Sequence, residues 1–411
     1  MAILLKASKA SKKKWIKPRH YLIRDLACFV LTPFCKVMYG SQVQRFKEQG
    51  KRPYLILFNH QTAFDQFFVG MAFKGPVYYV SSEDLYSRGW ISALLRWAVA
   101  PIPIKKQASD VGAVRNCLRV AREGGTIAIA TEGNRTYSGK TEYMSPAITT
   151  LARVLKMPIA LFRIEGGYGV HPRWSDKRRK GHVRGYVSEV IEPEVYAELS
   201  DEALFQKISE GLHVDDYAFN EQFPAKRKAE YLERAMYVCP DCGLTSYESN
   251  GNEAHCCKCG KAISYGEDMK LTGIGHDFPF ATMTQWYDYQ KDFVNALDVT
   301  RLVDEPIYEE SADVSEIVPC KSRTLLRKSA ALRLYGDRMT VQLDSGEPLC
   351  MTFDDIFAAA VLGRNKLNIY YQNHLYQFKG GKRFNALKYV NFCYRWKNKD
   401  KGGPDGKFLG L

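Results

Sequence analysis

From Pro53 to about residue 215, short apolar runs alternate with stretches whose apolar residues recur every three or four positions. The runs Tyr54 to Phe58, Val77 to Val80, Thr126 to Ala130, Ile159 to Ile164 and Val183 to Ile191 predict strands. The segments around Gln66 and Trp90, and those from Val111 to Glu123 and Ile148 to Lys156, predict helices. This order predicts an α/β domain with a mostly parallel sheet, in which functional side chains stand in loops at strand ends.

The flanks differ. Between Trp15 and Tyr39, residues such as Ile16, Leu22, Ile23, Leu26, Val30, Phe34 and Val37 follow helical spacing with basic residues beside them. One or two amphipathic helices lying on an anionic membrane surface fit this pattern, and so does a helix packed on the protein's own core. The apolar run Leu26 to Cys35 contains Pro33 and falls short of the roughly 20 residues a membrane span requires. No small-residue cleavage site follows it, so neither a transmembrane helix nor a cleaved signal peptide is expected. Beyond Asp215 come a charged helix (Ala225 to Met236), a cysteine cluster, an aromatic helix (Thr284 to Leu297) and an acidic stretch (Asp304 to Glu316) expected as a linker. Turn signals at Gly336-Asp337, Asp344-Ser345-Gly346, Gly363-Arg364-Asn365 and Gln372-Asn373 then separate short β-type runs that end in a helix, Phe384 to Trp396. That order resembles the pleckstrin-homology (PH) superfold. Arg364, Lys366, Lys379, Lys382 and Arg383 could meet lipid headgroups there, or the unit could simply brace its neighbours.

The expected division is 1–45, basic membrane-docking helices; 46–215, the α/β domain; 216–300, helices flanking a ribbon at about 236–265; 301–325, the acidic linker; and 326–400, the PH-like unit. At 411 residues and 45% apolar, the chain is long and apolar enough for two or three cored domains, which makes disorder and a polytopic membrane protein poor readings. Its formal charge is +14, and residues 1–55 alone hold thirteen basic against two acidic side chains. The excess is therefore concentrated at the N-terminus and points to an anionic surface. Eleven cysteines without an export signal fit reduced thiols and metal ligands, so the chain is expected at the cytoplasmic face of the membrane as a peripheral protein.

Three histidines have an aspartate five positions on: His20 with Asp25, His60 with Asp65, and His171 with Asp176. His60 closes a strand and opens a helix, which favours it; His20 lies in the basic segment, where no fixed geometry is expected, and no strand directly precedes His171. A histidine held by a carboxylate has one tautomer fixed and keeps its other nitrogen as a base. No nucleophile elbow such as G-x-S-x-G is present, so the base is expected to activate an acceptor hydroxyl directly. A plain helix-capping role remains open. Glu132-Gly133-Asn134-Arg135 follows the strand Thr126 to Ala130; Gly133 permits a tight turn, and Arg135 offers a planar fork suited to phosphate oxygens, or a surface salt bridge.

Taken in order, these segments resemble the glycerolipid acyltransferase family that acylates lysophosphatidic acid. Asn59-His60-Gln-Thr-Ala-Phe-Asp65 matches its N-H-x4-D block, and Glu132-Gly133-Asn134-Arg135-Thr136 is close to its E-G-[TS]-R-[ST] block. Pro103-Ile104-Lys105-Lys106 and Met157-Pro158-Ile159-Ala160 look like two weaker blocks. The resemblance covers about residues 20–215. It implies transfer of a fatty acyl group from acyl-CoA or acyl carrier protein to the hydroxyl of a lysophospholipid acceptor, giving phosphatidic acid in phospholipid synthesis. It further implies His60 as base, Asp65 as its orienter, Lys106 and Arg135 as phosphate ligands, and Glu132 ordering that site. Lys106 stands where the family usually has Arg, and Ala130-Thr131 and Asn134 depart from the usual third block, so another glycerol phosphate or lysophospholipid acceptor stays open. A non-catalytic scaffold is the remaining alternative.

Cys239-Pro-Asp-Cys242-Gly and Cys256-Cys257-Lys-Cys259-Gly form two C-x2-C knuckles, each with a glycine for the sharp turn. Cys239, Cys242, Cys256 and Cys259 are expected to hold a structural Zn2+ in a zinc ribbon, with Cys257 and His255 as competing ligands and a redox pair as the lesser reading. Residues 236–265 carry only Lys258 and Lys261 against three acids, so no nucleic-acid partner is expected.

Overall fold

The apolar runs pair as strands of one seven-stranded sheet. In chain order its elements are α1 (Pro18–Tyr39), β1 (Gln42–Val43), β2 (Leu55–Phe58), α2 (Asp65–Ala72), β3 (Val77–Ser82), α3 (Trp90–Ala98), β4 (Ile102–Ile104) and α4 (Val111–Arg122). There follow β5 (Thr126–Ala130), α5 (Ala147–Leu155), β6 (Ile159–Glu165), α6 (Gly167–Val170), β7 (Arg184–Ile191), α7 (Pro193–Ala197) and α8 (Asp201–Leu212). This computed structural model describes residues 14–50, 52–86, 89–104, 110–318, 322–344 and 346–400.

The strand order is β1-β7-β6-β2-β5-β3-β4, with β2 central and buried on both faces. The neighbours among β6, β2, β5, β3 and β4 run parallel, as do β1 and β7, and β7 alone lies antiparallel to β6, so the sheet is mostly parallel, as expected, and mixed at that one pair. A parallel return needs a crossover of a dozen residues or more, usually a helix. Here α6 is only four residues, and the chain doubles back at the same end of the sheet.

Among the described residues, the N-terminal segment forms one helix, α1. It opens on Pro18, which suits the first turn, and stops at Gly40, where φ is +55° and a Cβ would sit 2.2 Å from the Gly181 carbonyl oxygen. Cys35, Tyr39 and His20 face inward, while Leu22, Leu26, Phe29, Val30 and Val37 are exposed. The core-packed reading of this helix therefore holds for one face, and the other is open to solvent. His20 does have a fixed geometry, contrary to expectation: it is buried with Nδ1 3.0 Å from the Tyr78 hydroxyl, and Asp25 pairs with Arg24 instead. Among the described residues, no helix is long and apolar enough to cross a membrane.

The second half is antiparallel. A small hairpin, β8 (Val238–Cys239) and β9 (Gly243–Leu244), precedes a meander of β10 (Tyr247–Asn250), β11 (Glu253–Cys256), β12 (Ala262–Tyr265) and β13 (Leu271–Ile274). Helix α9 (Met283–Ala296) starts in a capping box made by Thr282 and Gln285. A curled sheet follows, in the order β17-β16-β15-β14-β20-β19-β18, from β14 (Tyr308–Val318), β15 (Ser322–Leu334), β16 (Arg338–Val341), β17 (Leu349–Thr352), β18 (Ile356–Leu362), β19 (Lys366–Tyr371) and β20 (His374–Gly380). Helix α10 (Ala386–Lys397) closes it.

Two sequence expectations fail here. The acidic stretch is not a linker: β14 pairs with both β15 and β20, burying Ala312, Val314 and Ile317. Glu309 pairs with Arg333 at 3.0 Å across the sheet and Glu310 with Lys388 of the C-terminal helix at 2.9 Å, while Glu316 lies 2.5 Å from His374 Nδ1. Nor do residues 225–236 form an α-helix; only a 3-10 turn at Leu232–Arg234 is present. Two of its charges are buried links between modules. Arg234 reaches Asp176 at 2.8 Å, and Glu233 pairs with Arg383. One apolar core accordingly runs without a break from Phe58 and Tyr137 in the first sheet through Trp286 to Val361 and Phe392 in the last unit.

Candidate active site and cysteine cluster

Because β2 and β5 are parallel neighbours, the residues that follow each emerge at the same edge of the sheet. After Phe58 the chain leaves β2, and Asn59 clips it to β6: its Nδ2 donates to the Ile164 carbonyl while its Oδ1 accepts the Ile164 N–H, both at 2.8 Å. His60 is thereby held at the strand end. Its Nδ1 lies 2.7 Å from Asp65 Oδ2, and its side chain keeps 22% of its surface exposed. Asp65 is completely buried, and its carboxylate also accepts the N–H groups of Gln61 and Thr62 and the Thr62 hydroxyl. With Nδ1–H donated to Asp65, the Nε2 lone pair of the neutral ring is left for other chemistry. Burial is the main influence on His60 and lowers its pKa; Asp65 opposes this, and the charges of Arg135 and Arg173 lower it further.

The loop after β5 is sewn to the same spot. Thr131 N–H donates to the Phe58 carbonyl and Thr136 N–H to the His60 carbonyl. Gly133 sits at φ +67° in a tight turn whose N–H is already given to Ala130. Glu132 does not touch Arg135. It is buried, accepting the backbone N–H of His60 at 2.6 Å through Oε1 and that of Glu142 at 2.8 Å through Oε2. Burial raises its pKa well above the usual carboxylate range in spite of those two bonds. Glu132 thus fixes the backbone that carries the histidine. Arg135 has its Nη1 shielded from water with no hydrogen-bond partner. Burial, with the charges of Arg173 and Arg364, lowers its pKa to about 10. Lys106, the other expected phosphate ligand, lies outside the described residues, just beyond β4.

Three residues at this edge were not assigned to the site from the sequence. Arg173 is 2% exposed; its Nη1 donates to the Arg135 carbonyl at 2.9 Å and its guanidinium stacks on Tyr137 at 4.2 Å. His171 and Asp176, passed over as a pair, do not bind each other but both grip Arg364, His171 through Nε2 at 2.7 Å and Asp176 at 3.1 Å. His171 is pushed down to about 3 by burial and then by the neighbouring arginines, so it is neutral and accepts from Arg364. The arginine-rich loop was visible in the sequence, yet nothing there said which way it folds.

The four expected cysteines converge. The Sγ atoms of Cys239, Cys242, Cys256 and Cys259 all lie within 4.8 Å of one another, close enough to hold a metal ion. Cys257 is exposed outside the cluster, and His255 lies near Glu248 instead.

A buried carboxylate, a neutral histidine and unpaired guanidinium donors at one strand edge suit the activation of a hydroxyl beside an anion. Residues 38–164, from the end of α1 into β6, match the family model described as acyltransferase. Among solved structures, the 1-acyl-sn-glycerophosphate (LPA) acyltransferase PlsC from Thermotoga maritima is similar, at 19% identity and a TM-score of 0.38, covering 47% of this chain and 78% of that one. No curated protein matches the chain.

Proposed function

We propose that the chain is an acyltransferase of the 1-acylglycerol-3-phosphate type. It would move a fatty acyl group from acyl-CoA or acyl carrier protein to lysophosphatidic acid, giving phosphatidic acid. The observation that carries this is the 2.7 Å contact of His60 Nδ1 with buried Asp65, at the same strand edge as Arg135 and its unpartnered Nη1. In the proposed reaction, His60 Nε2 removes the acceptor hydroxyl proton as that oxygen bonds to the thioester carbonyl carbon. Asp65 stabilises the imidazolium. Collapse of the tetrahedral adduct breaks the C–S bond, and the departing thiolate takes the proton back from Nε2. Arg135 and Arg173 hold the acceptor phosphate, with Lys106 as a further ligand.

The surface of α1 and α3 supports work at a membrane. Leu22, Leu26, Phe29 and Val37 on the first, with Trp90, Leu94 and Trp97 on the second, form an exposed apolar face. Arg19 stacks on Trp97 at 5.2 Å and joins the two helices. We place this face in the headgroup region of an anionic cytoplasmic leaflet, the surrounding lysines on lipid phosphates.

We assign zinc to the cysteine cluster, in a zinc-ribbon role. Sulfurs about 2.3 Å from a tetrahedral Zn2+ stand about 3.8 Å apart. The closest Sγ pairs are 3.6, 3.8 and 3.9 Å apart. Bound there, the metal would hold the ribbon's fold and take no part in the chemistry. The PH-like reading of the last unit rests on its seven strands followed by one helix.

The test is thiol release from an acyl thioester with lysophosphatidate as acceptor. His60→Ala removes turnover, and Arg135→Ala mainly raises KM for the phosphate-bearing acceptor. Near-normal activity in His60→Ala ends the assignment.

A further inference from the structure

Arg364 belongs to the turn between β18 and β19, in the C-terminal sheet, yet its guanidinium is anchored in the N-terminal half by His171 and Asp176. The same hairpin offers the Val361 carbonyl to Arg173 Nη2 at 3.2 Å, and Arg173 in turn holds the Arg135 carbonyl. The Arg173 guanidinium therefore ties the loop of Arg135 to the hairpin of Arg364 where the two sheets join, and the charges of Arg173 and Arg364 both act on Arg135. Each of the three retains one shielded nitrogen without a partner: Nη1 of Arg135, Nε of Arg173 and Nε of Arg364. Among the described residues, neither Arg135 nor Arg173 has a carboxylate within 4 Å, and Arg364 shares Asp176 with Arg234. Arg173 is buried while Arg135 and Arg364 are half-buried, the latter with 32% of its side chain exposed, and like charges drawn partly out of water are costly unless something anionic joins them. His171, neutral and 6% exposed, orients Arg364 without cancelling its charge, while Tyr39 occupies its other nitrogen at 3.2 Å.

We propose that this hairpin completes the acceptor pocket, Arg364 joining Arg135 and Arg173 in a three-arginine receptor for a doubly charged phosphomonoester. The inference rests on the acceptor-phosphate reading above and extends it, by making the C-terminal sheet part of acceptor selection. A phosphomonoester near pH 7 carries close to two charges on three terminal oxygens, which can engage three cationic donors at once. A phosphodiester presents one charge and two such oxygens, so it uses the receptor less fully.

The experiment compares full-length wild type, Arg364→Gln, Arg364→Lys and the control Arg333→Gln, an exposed arginine of the same sheet paired with Glu309. Kinetics are measured with a lysophospholipid bearing a phosphomonoester and with one bearing a phosphodiester. Arg364→Gln is expected to raise KM for the monoester about tenfold or more, with kcat within about twofold and the thioester KM unchanged. KM for the diester stays nearly constant, so selectivity falls; Arg364→Lys recovers part of it, and Arg333→Gln matches wild type. An equal KM change for both acceptors, no change at all, or a loss of kcat that Arg364→Lys does not rescue overturns the receptor. Calorimetric titration with glycerol 3-phosphate separates the two layers. If wild type turns over no acceptor but Arg364→Gln weakens this binding, acyl transfer falls and the receptor stands; if that binding is insensitive to Arg364→Gln, the receptor falls.

Discussion

Replacing Asp65 by asparagine separates two services that the carboxylate performs. Oδ2 faces His60 Nδ1 and the N–H groups of Gln61 and Thr62, whereas Oδ1 faces the Thr62 N–H and hydroxyl. An amide nitrogen at Oδ2 would meet two backbone donors. At Oδ1 it meets one, together with a hydroxyl that can rotate to accept. The amide oxygen of the variant side chain therefore settles toward His60, and the Nδ1–H tautomer survives. What is lost is the negative charge opposite the imidazolium. A hydrogen bond to a charged group contributes roughly 1.5–3 kcal/mol against about 1 for a neutral one, so the difference is about 1–2 kcal/mol. Asp65→Asn should therefore lower kcat about five- to thirtyfold, far from the roughly ten-thousandfold expected when the wrong tautomer is imposed. Because Asp65 raises the His60 pKa, the acid limb of the pH profile also moves to lower pH. Thiol-release kinetics between about pH 5 and 8, with the melting temperature as a check on folding, measure both effects. A folded Asp65→Asn protein with no loss, or with a ten-thousandfold loss, refutes this reading of the hydrogen bonds.

Glu132→Ala leaves the buried N–H groups of His60 and Glu142 without acceptors, each at a cost of about 1–3 kcal/mol. Chemical denaturation should show a loss of several kcal/mol, together with a fall in kcat as His60 loosens. Metal analysis should give about one zinc per chain, lost in Cys242→Ser and retained in Cys257→Ser, since the latter sulfur lies outside the cluster. His171 binds a proton at about pH 6.5 when unfolded and only near 3 when folded, so its contribution is complete above 6.5 and is lost as pH falls toward 3. The loss is at most about 5 kcal/mol; His171→Gln should make the unfolding free energy less steep in this window, and an unchanged slope contradicts the assignment.

The first sheet was legible because its central strands β2 and β5 are almost wholly apolar and its helices periodic, so local patterning and tertiary burial agree there. β7 was located correctly, but its direction depends on a connection that no residue pattern announces. His60 with Asp65 could be singled out from three identical spacings because a strand end precedes it. The four cysteines were readable for a similar reason, their knuckles being local. The acidic strand β14 and the charged stretch 225–236 were misread for a shared cause. Their charges are matched by residues far along the chain, Glu310 by Lys388 and Arg234 by Asp176, and composition alone cannot distinguish a paired acid from a solvated one. Arg364 escaped in the same way: its turn was recognisable, but its contacts lie 193 residues back at His171.

That span gives synthesis an order. Arg173 gains the last of its backbone acceptors only when the Val361 carbonyl exists, 188 residues later in the chain. A nascent polypeptide still short of the β18–β19 hairpin can assemble the histidine and its aspartate, but it lacks one of the fastenings of the arginine beside them. A hairpin made late thus adds to a pocket that much earlier segments began.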